Sequence, residues 1–162
     1  MGEPTNGSIA SRGEFHAAVL QALTLAADAG SRELWLCDAS FADWPLGERA
    51  VVEALARWAA SNRRVTLLAG SFDEVARRHP RWVQWRRHWS HIVSCRINLE
   101  LPGLEWPSLL CASGSVSVRL IDPVHHRGRI SRDRADELRC REQFDAVLQR
   151  SEEAFPATTT GL

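Results

Sequence analysis

Leu34-Trp35-Leu36-Cys37 is an unbroken apolar run of the kind buried on both faces of a sheet. Val51, Val52, Leu55, Trp58 and Ala59 then recur at helical spacing, and Arg64–Ala69 is a second β-branched and apolar run closed by Gly70. Strand, helix and strand in this order predict a βαβ unit with parallel strands and a right-handed crossover. The central stretch Glu33–Gly70 therefore points to an α/β fold, with a mixed, mostly parallel sheet flanked by helices.

The flanks extend this pattern. Ser11-Arg12-Gly13-Glu14 has the spacing of a capping box, and the helix it opens carries Phe15, Val19, Leu23 and Ala26 on one face before Gly30. Ser71-Phe72-Asp73-Glu74 repeats that spacing, and Pro80 begins a further helical segment. Ile92–Ile97 reads as a third strand. Ser108–Ser113 and Ser115–Leu120 read as a hairpin turning at Ser113-Gly114. Asp122–Arg132 reads as a polar, basic loop. Asp133 is the expected cap of a last helix whose buried stripe is Leu138, Phe144, Val147 and Leu148.

The length of 162 residues suits one domain with its own core. Its expected bounds are 12–155, with residues 1–11 and 156–162 as flexible termini. No internal repeat or linker divides it. No apolar run approaches the roughly 20 residues that span a membrane. No basic segment followed by an apolar one opens the chain, so no membrane partner and a cytoplasmic location are expected. The widely spaced Cys37, Cys95, Cys111 and Cys140 suit buried reduced thiols better than disulfides or a zinc cluster.

All 20 basic residues are arginine. Without lysine, the chain alone cannot supply Schiff-base chemistry, a phosphate-loop lysine or a lysine-dependent phosphodiesterase site. Net charge is zero but unevenly spread: residues 1–53 carry −5, residues 54–99 carry +7 and residues 100–162 carry −2. The basic middle suits a phosphate-bearing partner, an internal pairing or a dimer contact.

Within that middle, Trp82, Trp85 and Trp89 form a helical stripe interleaved with arginines. Arg77, Arg78, Arg81, Arg86 and Arg87 are the candidate phosphate contacts, with exposed indoles stacking on bases. The competing reading packs the tryptophans inward and leaves the arginines as a solvated face, and helical periodicity favours it. Asp38 and Asp43 lie in the loop beyond the first central strand, where open α/β sheets bind ligands, although cap and turn roles are commoner for such residues. His88 and His91 share a helical spacing without the further ligands of a metal site, and no motif calls for a cofactor.

The order of helix, βαβ unit, helix, strand, loop, hairpin and terminal helix resembles one half-domain of the phospholipase-D-like family, over roughly residues 12–155. That family carries His-x-Lys-x4-Asp-Gly, with histidine the nucleophile on a phosphodiester and lysine and aspartate completing the site. Laid on Trp106–Gly114, the motif finds Trp106 at the histidine, Ser108 at the lysine and Ser113 at the aspartate; only Gly114 matches. The downstream Gly-Ser-x-Asn signature is replaced as well, with Leu120, Ile121 and Pro123 at its places. Arg127-Gly128 followed by Arg139–Ser151 is similar to a bacterial domain of unknown function, found alone or behind acetyltransferase domains. The resemblance implies that the scaffold is kept and the catalysis is lost.

Three functions compete. The first is a non-catalytic binding module for nucleic acid or a protein partner, and the resemblance implies self-association because the resembled enzymes bring two halves together. The second is a hydrolase with a rebuilt site drawing on His125 or His126 with Asp38 or Asp122, which requires two of these groups to converge in a cleft. The third is a structural domain that stabilises an assembly.

Overall fold

In the computed structural model, which describes residues 6–155 apart from the side chain of Leu104, the apolar runs form one sheet between two helical layers. In chain order the elements are β1 (Gly7–Ile9), α1 (Arg12–Ala29), β2 (Glu33–Cys37), α2 (Arg49–Trp58), β3 (Arg64–Ala69), α3 (Asp73–Arg78) and α4 (Pro80–His88). They continue with β4 (Val93–Ile97), β5 (Ser108–Ala112), β6 (Val116–Asp122), β7 (Arg127–Ser131), α5 (Arg134–Leu148) and β8 (Glu152–Glu153). The strand order is β1-β7-β6-β5-β2-β3-β4-β8.

The expected βαβ unit is present: β2 and β3 pair in parallel, Leu34 opposite Val65 and Leu36 opposite Leu67. The sheet is mixed, but the balance departs from the expected mostly parallel one. Among the described residues only β2–β3 and β3–β4 are parallel, while the other five pairings are antiparallel. The hairpin is the reason, since β5 inserts antiparallel beside β2 and carries β6 and β7 with it.

Period-two alternation divides the core between the faces. Leu34, Leu36, Val65, Leu67, Leu110 and Val118 join the cluster beneath α1, α2 and α4. Trp35, Cys37, Leu68, Leu109 and Cys111 meet Cys140, Phe144 and Val147 of α5 on the other face. Trp58, fully buried at the end of α2, donates from its indole to the Ser31 carbonyl at 2.7 Å and so satisfies its one polar atom.

Several local expectations need correction. Gly7–Ile9, expected within a flexible terminus, is an edge strand paired with β7. Residues 127–131, expected as loop, form β7 because β6 offers its free edge. Ser11 caps α1 by accepting from the Glu14 amide at 3.1 Å, and Gly30 closes it with φ +70°. The second capping box does not form. Ser71 Oγ accepts from the Asp73 amide instead, and the Glu74 carboxylate turns to Arg77 and Arg78. Asp133 stands at the start of α5 without a side-chain cap, and Leu138 is 49 % exposed, so the buried stripe runs through Cys140 instead. Among the described residues no helix is long and apolar enough to cross a membrane. The expectation of a flexible tail at 156–162 lies outside the described residues.

Candidate functional site

The carboxyl end of β2 and the start of β5 meet at one point because the two strands are antiparallel, placing Asp38 beside Ser108. The Ser108 hydroxyl donates to Asp38 Oδ1. Asp38 Oδ2 accepts from the amides of Ser40 at 3.1 Å and Phe41 at 2.8 Å, an Asx turn that holds Phe41 at φ +58°. Asp38 and Ser108, with Trp44, Asp43 and His126, line a cavity of about 180 Å³. Trp44 is buried, and its indole N–H has no hydrogen-bond partner among the described residues.

The three motif positions diverge from this point. Trp106 is buried, donates from Nε1 to the Leu101 carbonyl at 3.1 Å, and lines a separate depression with Leu101, Pro107 and Gln143. Ser113 lies beyond the opposite end of β5, about 17 Å away at the usual rise per residue. There its hydroxyl accepts from the Glu33 amide at 3.2 Å. Only Ser108 faces the cavity, and its proton is committed to Asp38.

The histidines also separate. His125 Nδ1 lies 2.8 Å from Asp122 Oδ2 on the exposed β6–β7 turn, and this contact holds the Asp122 carboxyl below its usual range. Neither residue lines the Asp38 cavity. His126, held at φ +53°, does line it and packs 5.9 Å from the Phe15 ring, without a hydrogen bond to Asp38 or Ser108. Of the four residues considered for a rebuilt hydrolase, Asp38 and His126 therefore share a cavity, and Asp122 with His125 form a surface pair. His88 and His91 do not share a helical face, because α4 ends at His88 and His91 stacks on Trp89 in the following turn. Among the described residues no group of three metal-ligating side chains gathers.

The basic segment forms a second region. Trp82 and Trp85 are buried and Trp89 is half-buried, so the inward reading of the stripe holds. Arg77, Arg78, Arg81 and Arg87 are exposed on α3 and α4, but Arg86 is not: it is 5 % exposed and turns inward to Cys95. Helical geometry explains the exception, since Arg86 follows Trp82 by four residues on the inward face. Glu74 holds Arg77 at 3.3 Å and Arg78 at 2.6 Å, while Arg81 donates to the Gly47 carbonyl at 2.8 Å. Arg78, Arg81, His88 and Trp85 line a groove of about 730 Å³ against Val52 of the adjoining α2 and Gly47 of the loop before it. From Val75 to Leu99 the chain holds six arginines and no acid.

Two further residues bear on these regions. His79 is buried between the two regions and ties the loop after β2 to the start of α4, while Trp44 supplies an indole N–H without a partner among the described residues. Neither carries a local signal, because both roles arise from contacts across more than thirty positions or from a cavity closed by distant segments.

No family model matches the sequence, and no curated protein is similar to it. Solved structures are. An archaeal chromatin protein, TrmBL2, whose structure shows a novel mode of DNA binding, aligns at TM-score 0.64 and 10 % identity over 93 % of this chain. This chain spans 54 % of that protein's length. Nuc from Salmonella typhimurium, a phospholipase D family member, aligns at TM-score 0.61 and 11 % identity, over 94 % of this chain and 99 % of its own. NucT from Helicobacter pylori aligns at 0.56 and 8 % identity, over 93 % and 99 %. At such identities the likeness speaks for architecture alone, and the architecture of this chain is the phospholipase-D-like fold.

Proposed function

We propose that this chain is a non-catalytic phospholipase-D-like module that binds nucleic acid through the outer face of α3 and α4. The observation that carries the reading is the acid-free run from Val75 to Leu99, which exposes Arg77, Arg78, Arg81 and Arg87 together with His88. Arginines on one face neutralise successive phosphates and release counterions, giving affinity with little base preference. The buried tryptophans give the face rigidity rather than stacking platforms. The DNA-binding chromatin protein among the structural neighbours supports the same partner class.

Loss of catalysis is supported by the fate of the motif positions. Trp106 and Ser113 point to different places, and the Ser108 hydroxyl donates to a carboxylate already occupied by two backbone amides. The reading includes a cytoplasmic chain that pairs with a second copy, with the exposed Ile121 and Val124 as apolar surface for the contact.

The test is a titration of short single- and double-stranded DNA and RNA followed by tryptophan fluorescence at low and moderate salt. Saturable binding that weakens steeply with salt is expected, with no cleavage of a phosphodiester substrate. Absent or salt-insensitive binding overturns the nucleic-acid partner and leaves a protein partner. One observation favours a second reading, a rebuilt hydrolase: Asp38, Ser108 and His126 line one cavity. Phosphodiester cleavage lost on His126→Ala would establish that reading instead.

A further inference from the structure

Arg86 is a buried cation with no counter-charge among the described residues. Its Nε donates to Cys95 Sγ at 3.3 Å, and its guanidinium carbon lies 5.7 Å from the centre of the Phe155 ring. Among the described residues it forms no ion pair and no second hydrogen bond. Burial pushes the Cys95 thiol above its ordinary value, against the pull of the neighbouring guanidinium, so at neutral pH the sulfur is not the missing anion. Burying an uncompensated ion is strongly unfavourable, and an aromatic face offsets only part of the loss.

Arg86 lines a cavity of about 510 Å³ at the amino-terminal ends of β3 and β4. Arg64, Ser90, Ser94 and Glu153 share its lining. Two arginines and two serines around one space carry the donor set of a tetrahedral oxyanion, and planar guanidinium forks suit paired phosphoryl oxygens. We propose that this cavity binds a phosphoryl group, with Arg86 as the buried anchor, Arg64 as the second cation and Ser90 and Ser94 as hydroxyl donors. Glu153, on the same lining, opposes a second negative charge and keeps the affinity of the native chain modest.

This site is independent of the α3–α4 outer face, because Arg86 is the arginine of that segment that turns away from it. Its test is calorimetric titration of inorganic phosphate into the full chain, with ionic strength held constant by chloride. One saturating site is expected. Arg86→Gln should weaken it at least tenfold, Arg64→Gln by less, and Glu153→Gln should tighten it severalfold.

Should Arg86→Gln fail to fold, Glu153→Gln still decides the matter. If Glu153 is the hidden counter-charge of Arg86, that substitution lowers the melting temperature and creates no phosphate site, which overturns the proposal. No saturable heat with the native chain and with Glu153→Gln also overturns it. A 5′-phosphorylated oligonucleotide that displaces phosphate better than its unphosphorylated twin makes a nucleic-acid end the source of the group. Equal displacement makes free anion the source. Either result upholds the site, whatever becomes of the outer face.

Discussion

His79 donates from Nε2 to the Phe41 carbonyl at 2.8 Å, which fixes both the tautomer and the loop beyond β2. The assignment follows from the other ring nitrogen. Nδ1 lies 3.2 Å from the Gly47 amide, which only donates, so Nδ1 accepts and the proton sits on Nε2. The ring is therefore held neutral. Burial lowers its pKa below 6.5, with the Phe41 hydrogen bond acting in the opposite direction.

A lowered histidine pKa makes stability depend on pH. The unfolded chain takes up the proton first as pH falls, so the contribution is fully present above 6.5 and is lost as pH falls through the folded value. One proton gives a slope of at most about 1.4 kcal/mol per pH unit. Thermal melts between neutral and acidic pH should show this loss, and His79→Gln should flatten that part of the profile while lowering stability overall.

Ser108→Ala should cost about 1–3 kcal/mol, because Asp38 loses one of its three hydrogen-bond donors in a partly enclosed position. Denaturant unfolding measures the loss. Nucleic-acid affinity should not change, since the α3–α4 face lies elsewhere. A fall in affinity without a fall in stability would move the binding surface to the ends of the strands.

Arg87→Ala and Arg81→Ala should each reduce the slope of log affinity against log salt by about one, the signature of one lost phosphate contact. Arg77→Ala and Arg78→Ala should have smaller effects, because Glu74 already neutralises part of their charge at 3.3 Å and 2.6 Å. Binding isotherms at several salt concentrations check the ranking.

Gly128→Ala should disrupt the β6–β7 pair. A Cβ there would overlap the Arg119 carbonyl oxygen and lie 2.7 Å from Leu120 Cα, both backbone atoms that cannot step aside. A loss of more than about 2 kcal/mol is expected, the range of overpacking. Gly13→Ala is the control. Nothing lies within 4 Å of its added methyl in the first turn of α1, so a gain of about 0.5–1 kcal/mol is expected by urea unfolding.

All four cysteines are buried and free, and burial pushes the thiols of Cys111 to about 12 and Cys140 to about 11. A disulfide reagent should therefore react with the native chain only as fast as it opens, and with four equivalents once it is unfolded. Rapid labelling of the native chain would contradict the packing of α5 against β5.

The βαβ unit, the hairpin and the helices beginning at Arg12 and Pro80 were legible in the sequence because their signals are local. Continuous apolar runs mark β2 and β3, a cap marks α1 and Pro80 marks α4. Composition also excluded lysine chemistry before any contact was known. Strands β1 and β7 were hidden, since Gly7-Ser8-Ile9 and Arg127–Ser131 lack an apolar run and become strands only where a partner edge satisfies their amides. The same distinction separates Arg86 from Arg87. One position along α4 turns the first guanidinium into the core and the second into water, and four residues of helix pitch past a buried Trp82 decide which. The pairing of Asp38 with Ser108, seventy positions apart, likewise belongs to the antiparallel insertion of β5 beside β2, a relation of tertiary structure that no local spacing encodes.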